Sequence, residues 1–364
     1  MRARAYLRGE GPGIAVRPPW FDGGMPEYDA FLLVSFGGPE GPDEVMPFLE
    51  NVTRGRGIPR ERLAGVAEHY YAVGGVSPIN QQCRDLLAAI RADFGASGLS
   101  LPVYWGNRNW QPYLADTVRT MAADGVRRAV AFVTSAYSSY SSCRQYLDDI
   151  ERARAAAGPD APRIDKIRRF YDHPGFIEPF AASTRAALAT LPAGLRDQAH
   201  LVFTAHSVPV AMAEASGPGP TRGRYVAELT QAARLITERV GGDAHPWTLA
   251  YQSRSGPPAQ PWLEPDVGDV LGELAGTGTK AVVVVPVGFV SDHMEVRHDL
   301  DTEAARSAES LGLAFARAAT PGCHPRFVSM ITDLVRERLA LPVTGPDPDC
   351  PAGCCRYAAG APRA

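Results

Sequence analysis

The chain has 364 residues, enough for two ordinary cores, and its 45% hydrophobic and 21% charged content excludes a disordered or fibrous protein. With 37 basic against 40 acidic residues there is no net pull toward nucleic acid or an anionic membrane surface, so a small molecule is the expected partner. The longest apolar stretch, 281–290, falls well short of the ~20 residues of a membrane-spanning helix, contains Pro286 and Gly288, and reads as a buried strand.

In chain order, residues 1–25 combine Arg, Gly and Pro without the apolar run of a secretory signal, and read as a disordered extension with Met25 a candidate start. Short β-branched or aromatic runs then alternate with amphipathic segments, the pattern of βα units and a mostly parallel sheet. Strands are expected near 28–35, 101–105, 129–135, 164–170, 200–204, 247–251 and 281–286. Helical patterns lie between them, for example at 112–123, 145–156, 177–190, 224–240 and 327–338. A Gly158-Pro159 turn and Pro162 interrupt the chain near 157–163, which divides it into halves at 26–160 and 161–340 facing one another across a cleft. Residues 341–364 form an irregular, cysteine-bearing tail. Neither a dinucleotide fingerprint nor a phosphate-binding loop follows any strand, so nucleotide chemistry is set aside.

Ligands of open α/β sheets sit beyond the carboxyl ends of the strands, so residues just after each strand carry the most weight. His206 ends the run Leu201-Val202-Phe203-Thr204-Ala205-His206, where an imidazole can accept a proton or ligate a borderline metal. A histidine bonded only to turn backbone would look the same. After the strand at 281–286, Glu295, Asp299 and Glu303 recur every four residues and make an acidic stripe. A solvated helix face gives the same stripe, but a π-type widening would align the three carboxylates in file for a hydrated divalent ion. His293 reads as a packing neighbour. In the first half, Gly74-Gly75-Val76-Ser77-Pro78 opens a helix that can hold an anion, and Arg54 and Arg56 offer guanidinium forks for carboxylates. The hydroxyl- and phenol-rich run from Ser135 to Tyr146 suits a flat aromatic ligand bearing carboxylates.

Together these residues resemble the ferrochelatase family, in its Gram-positive, iron–sulfur-containing coproporphyrin type. The resemblance runs from about Asp29 to Leu339 and is carried by Leu33-Val34-Ser35-Phe36-Gly37-Gly38-Pro39, Gly74 to Pro78, Thr204 to Pro209, Tyr251 to Gly256 with Trp262-Leu263, and Ser291-Asp292-His293-Met294-Glu295. It implies an α/β fold of two Rossmann-like domains whose parallel sheets face each other across a porphyrin cleft. It further implies Fe2+ as substrate and insertion into coproporphyrin III, giving Fe-coproporphyrin III in haem biosynthesis. His206 and Glu295 would meet at the iron site on opposite faces of the ring, one as proton acceptor and the other as metal ligand, in either division. Asp299 and Glu303 would continue the metal path outward. Ser77 and Tyr146 fall on porphyrin-contact positions, with Arg54 and Arg56 as candidates for propionate binding. Phe36 stands where some members carry a ligating tyrosine, so axial ligation from that position is in doubt.

The resemblance also makes sense of the cysteines, because Cys143, Cys350, Cys354 and Cys355 supply the four thiolates of a [2Fe–2S] cluster. A four-cysteine zinc site and a tail of free thiols are the alternatives. The implied protein is cytoplasmic and monomeric, with transient contact to neighbouring haem-pathway enzymes and no integral membrane association. A protoporphyrin IX ferrochelatase, a cobalt chelatase and a non-catalytic haem or iron–sulfur sensor are the competing readings.

Overall fold

The computed structural model describes residues 28–55, 57–218, 222–256, 259–340, 350–351 and 353–357. The expected N-terminal extension with Met25, Arg56 and most of the tail lie outside the described residues.

In the first half come β1 (Ala30–Ser35), α1 (Pro42–Val52), α2 (Arg60–Tyr71), α3 (Ile79–Ala96), β2 (Val103–Asn107), α4 (Leu114–Ala123), β3 (Arg128–Val133), α5 (Gln145–Ala157) and β4 (Arg163–Lys166). The second half continues with α6 (Pro174–Thr190), β5 (His200–His206), α7 (Val210–Glu214), α8 (Arg224–Val240), β6 (Trp247–Gln252), α9 (Val267–Gly276), β7 (Ala281–Val285), α10 (Ala305–Ser310), β8 (Ala314–Arg317) and α11 (Pro325–Ala340). Two π-helical segments interrupt this scheme, Tyr140–Arg144 ahead of α5 and Val296–Ala304 ahead of α10.

The strands form two four-stranded parallel sheets in the orders β2-β1-β3-β4 and β6-β5-β7-β8, so the halves repeat one topology. Central strands of such sheets are covered on both faces, and β1 and β7 are buried along their whole length, as their apolar runs require. The expected boundary at 160/161 needs correction. The strand expected to open the second half instead closes the first, since β4 pairs with β3 from Arg128↔Arg163 onward. β8 was not expected, because Ala-Phe-Ala-Arg is short and has no β-branched residue.

One core spans both halves. Phe132 stacks on Phe170 with ring centroids 4.9 Å apart, and Phe170 meets Phe176 and Phe327 edge-on. The Tyr137 hydroxyl, beyond β3, donates to the Val287 carbonyl, beyond β7, at 2.9 Å. The carboxyl ends of the two sheets therefore face each other. That contact also fixes the loop leaving β7.

In each sheet the order reverses direction around its central pair, β1/β3 and β5/β7, which makes the crevice beyond these strands the place for a ligand. Close approach of the two loops in the second half depends on Gly288, where a Cβ would lie 2.6 Å from the Ala205 Cβ and 2.7 Å from its Cα. Ala205 immediately precedes His206, so the clash would be with backbone that carries the site. Gly288→Ala is expected to destabilise the protein by about 1–3 kcal/mol through overpacking. Thermal or urea unfolding checks this; an unchanged midpoint would mean the loops are free to separate.

Candidate active site

His206 is the last residue of β5, and its strand places the ring at the crevice. The Ser207 carbonyl lies at hydrogen-bond distance from Nδ1, and the Tyr225 hydroxyl donates to the His206 carbonyl at 2.9 Å. With the proton of the neutral ring on Nδ1, facing a carbonyl that can only accept, Nε2 is left with its lone pair outward. Nε2 stands 3.6 Å from Oε2 of Glu295, which comes from the segment after β7. A third of the His206 side chain and half of the Glu295 side chain remain open to solvent, although protein crowds both on their other sides. Groups enclosed yet reachable are what a ligand cleft leaves.

Burial opposes the charged imidazole, but the Glu295 carboxylate outweighs it and raises His206 to about 8. Burial likewise opposes the Glu295 charge, and His206 outweighs it, holding the carboxyl down at about 2. Nearby His293 is lowered, first by burial, and its Nδ1 accepts the Glu295 backbone N–H at 3.2 Å, which fits a packing role. Two donors each about 2 Å from a shared ion stand at most about 4 Å apart, and the 3.6 Å separation of this pair falls within that limit.

Beyond Glu295 the chain takes the wide turn that would align the acidic stripe, a π-helix over Val296–Ala304. Asp299 accepts from Gln252 Nε2 at 3.2 Å and from the Ser253 hydroxyl, and Ser253 holds a left-handed φ of 60° to make that contact. His298 joins the file: its Nδ1 is 3.4 Å from Asp299 Oδ1 and 3.8 Å from Glu303 Oε2. One ligand atom from each of His298, Asp299 and Glu303 lies within 4.8 Å of the others. His69 of α2 stacks on His298 with centroids 3.7 Å apart, and Arg62 of α2 donates to the Ser255 carbonyl at 3.1 Å. The helix from the first half thus roofs the acidic file of the second. Only a fold could reveal that contact, since His69 and His298 are far apart in sequence.

The first-half candidates are less open. Ser77 is 4% exposed and packs against Gly38, while Tyr146, also 4% exposed, lies beneath the Arg108 guanidinium at 4.6 Å. Arg108, buried in an ion pair with Asp149, also faces the partly exposed Phe36 ring at 5.8 Å. Arg108 was missed because a single arginine after a strand carries no distinctive spacing. Arg54 is exposed at the end of α1.

The structure brings the four expected cysteines toward one region. Cys143, on the first π-helical segment, hydrogen-bonds Cys350, and this contact, against burial and with Lys166 and Arg169 beside it, lowers its thiol. Cys354 and Cys355 are 3.6 Å apart, and Gly217 N–H donates to Cys355 Sγ at 3.2 Å. Burial raises Cys355 to about 12. Buried Lys166 and Arg169 provide the positive surroundings that thiolate ligands need.

A family model described as Ferrochelatase matches residues 28–339. The Coproporphyrin III ferrochelatase of Streptomyces coelicolor is 54% identical over 359 residues, covering 93% of this chain and 96% of that protein. Proteins of the same name from Mycolicibacterium smegmatis and Frankia alni are 56% and 58% identical over 88% and 90% of this chain, and 94% and 86% of theirs. Among solved structures, SirB from Bacillus subtilis with Fe3+ has a TM-score of 0.54 at 14% identity, covering 86% of this chain and 96% of that one, a likeness of fold.

The charge pair generates a pH prediction. His206 is raised above its ordinary 6.5, so its stabilising contribution is complete below about 6.5 and lost as pH rises through about 8. Glu295 is depressed from 4.5, so its contribution is complete above about 4.5 and lost only as pH falls toward about 2. An NMR titration of the ligand-free protein should find His206 near 8, and Glu295→Gln should move it below 6.5. An unmoved His206 would show that the carboxylate is not its partner.

Proposed function

The chain belongs to the ferrochelatase family, and on that premise we propose that it inserts ferrous iron into coproporphyrin III to give Fe-coproporphyrin III in haem biosynthesis. The observation that carries the assignment to this site is the convergence of His206 and Glu295 at the carboxyl ends of adjacent parallel strands. The high identity to proteins named coproporphyrin III ferrochelatase supports the substrate. Protoporphyrin IX is the second reading.

Insertion removes two pyrrole N–H protons and strips water from the ferrous ion. Glu295 receives the ion and orients it, while His206 Nε2 accepts the two ring protons in turn, passing the first to solvent through its open side before taking the second. The electrostatics order these events. Before the metal arrives, Glu295 keeps a proton on His206 up to about pH 8. An ion bound by the carboxylate cancels that field, burial then favours the neutral imidazole, and Nε2 becomes a base. Asp299 and Glu303, with His298 between them, supply oxygen and nitrogen donors leading outward. Bending of the ring in the crevice would expose its nitrogen lone pairs to the ion.

Arg54 and Arg56 remain candidates for the propionates, and Ser77 and Tyr146 for the ring edge. Tyr146 would reach a ligand only if Arg108 moves aside. Cys143, Cys350, Cys354 and Cys355 would hold a [2Fe–2S] cluster, a group able to accept or donate an electron and to tie the tail to the first half. Their contacts and the cationic surroundings support that reading over free thiols. Among the described residues no helix is long and apolar enough to cross a membrane. None of the six cysteines forms a disulfide, which fits a reducing compartment, and the cytoplasm is the one we assign.

His206→Ala should lower iron insertion at least about 100-fold while porphyrin binding persists. Near-normal turnover would remove His206 from the chemistry. In side-by-side assays coproporphyrin III should be turned over faster than protoporphyrin IX; the opposite order would favour the second reading. Cys143→Ser should abolish the cluster's visible absorbance, and an intact spectrum would exclude that ligand.

A further inference from the structure

A π-helix is rare and mostly a single turn, so the nine residues Val296–Ala304 need support from outside. Arg317, the last residue of β8, meets that need. Its side chain is 14% exposed and forks onto two carboxylates, Asp292 ahead of the acidic file and Asp301 within its length. Nη2 is 3.1 Å from Oδ2 of both Asp292 and Asp301, Nη1 is 3.3 Å from Asp292 Oδ1, and Nε donates to Asp301 Oδ1.

Asp292 precedes Glu295 by three residues. Asp301 is two residues from both Asp299 and Glu303, about half a turn away from their stripe. Asp292 is held further by the Thr320 hydroxyl at 3.0 Å, and its own N–H donates to Gln82 Oε1 of α3 at 2.9 Å. Arg297 adds a second cation to Asp301 at 3.2 Å. One guanidinium therefore ties both flanks of the segment that presents Glu295 and Asp299, and it does so on the side away from the ligand atoms.

We propose that Arg317 is a positioning residue for metal delivery, setting the spacing of Glu295, Asp299 and Glu303 through Asp292 and Asp301 without touching ion or ring. The inference rests on the reading that these three acids carry the ferrous ion. A fork is needed because two carboxylates must be held at once, which the single ammonium of lysine does less well.

The test uses the full chain, with anaerobic kinetics in which Fe2+ is varied at saturating coproporphyrin III, porphyrin affinity from fluorescence titration, and thermal melting. Arg317→Met is expected to raise the KM for Fe2+ and lower kcat about ten-fold each, with porphyrin affinity held within about two-fold and R317K in between. A merely structural role would lower the melting temperature and leave the iron KM of the folded protein alone, and that result would overturn the inference. If R317M does not fold, D301N, which spares Asp292, is read the same way: a raised iron KM supports the inference and an unchanged one overturns it. E295Q is assayed alongside. Insertion that survives in E295Q overturns the reading of the acid file itself, whereas insertion lost in E295Q with a normal iron KM in R317M overturns only the role of Arg317.

Discussion

Because β5 and β7 are hydrogen-bonded neighbours running parallel, from His200↔Val282 to Phe203↔Val285, the chains leaving their carboxyl ends start side by side. Everything at the site follows from that adjacency. His206 stands at the end of one strand, and Glu295 comes from the segment after the other. Gly288 lets the two backbones approach, and the Tyr137 contact to Val287 holds the second loop against the first half. A parallel pair needs a long crossover, so residues far apart in sequence can be presented together without either loop being long.

The pair carries its own electrostatic logic. Unliganded, imidazolium and carboxylate neutralise each other at 3.6 Å, in a crevice that would otherwise penalise each charge. The arrival of a divalent ion replaces one partner of the pair with a stronger one, and the imidazole loses its reason to stay charged. The acids that follow share one face through their four-residue spacing, on a helix widened to π geometry. That geometry is held from one side by Arg317 and from the other by Gln252, Ser253 and the stacked His69.

Much of this was legible in the residues. Alternating apolar runs and amphipathic segments gave the parallel α/β class, and four-residue spacing of Glu295, Asp299 and Glu303 gave an acidic stripe that a π-type turn, present in the structure, would align more closely. His206 was legible from its place at the end of an apolar run. What escaped depended on long-range contact or on weak local signal. β8 is four residues with two alanines, and the π turn at Tyr140–Arg144 has no charge periodicity to mark it. β4 sits on the far side of a Gly-Pro break, so its pairing with β3 could be learned only from the sheet. His298, His69, Arg108 and Arg317 matter through partners distant in sequence, and Ser77 and Tyr146 turned out buried because side-chain packing is not written in spacing.

The most direct test is a crystal structure of the protein with coproporphyrin III bound and no metal added. The account predicts the macrocycle in the crevice beyond β5 and β7, with His206 Nε2 and Glu295 drawn apart from their 3.6 Å contact to lie on opposite faces of its four nitrogens. A ring seated elsewhere, or one with both side chains on the same face, would contradict it.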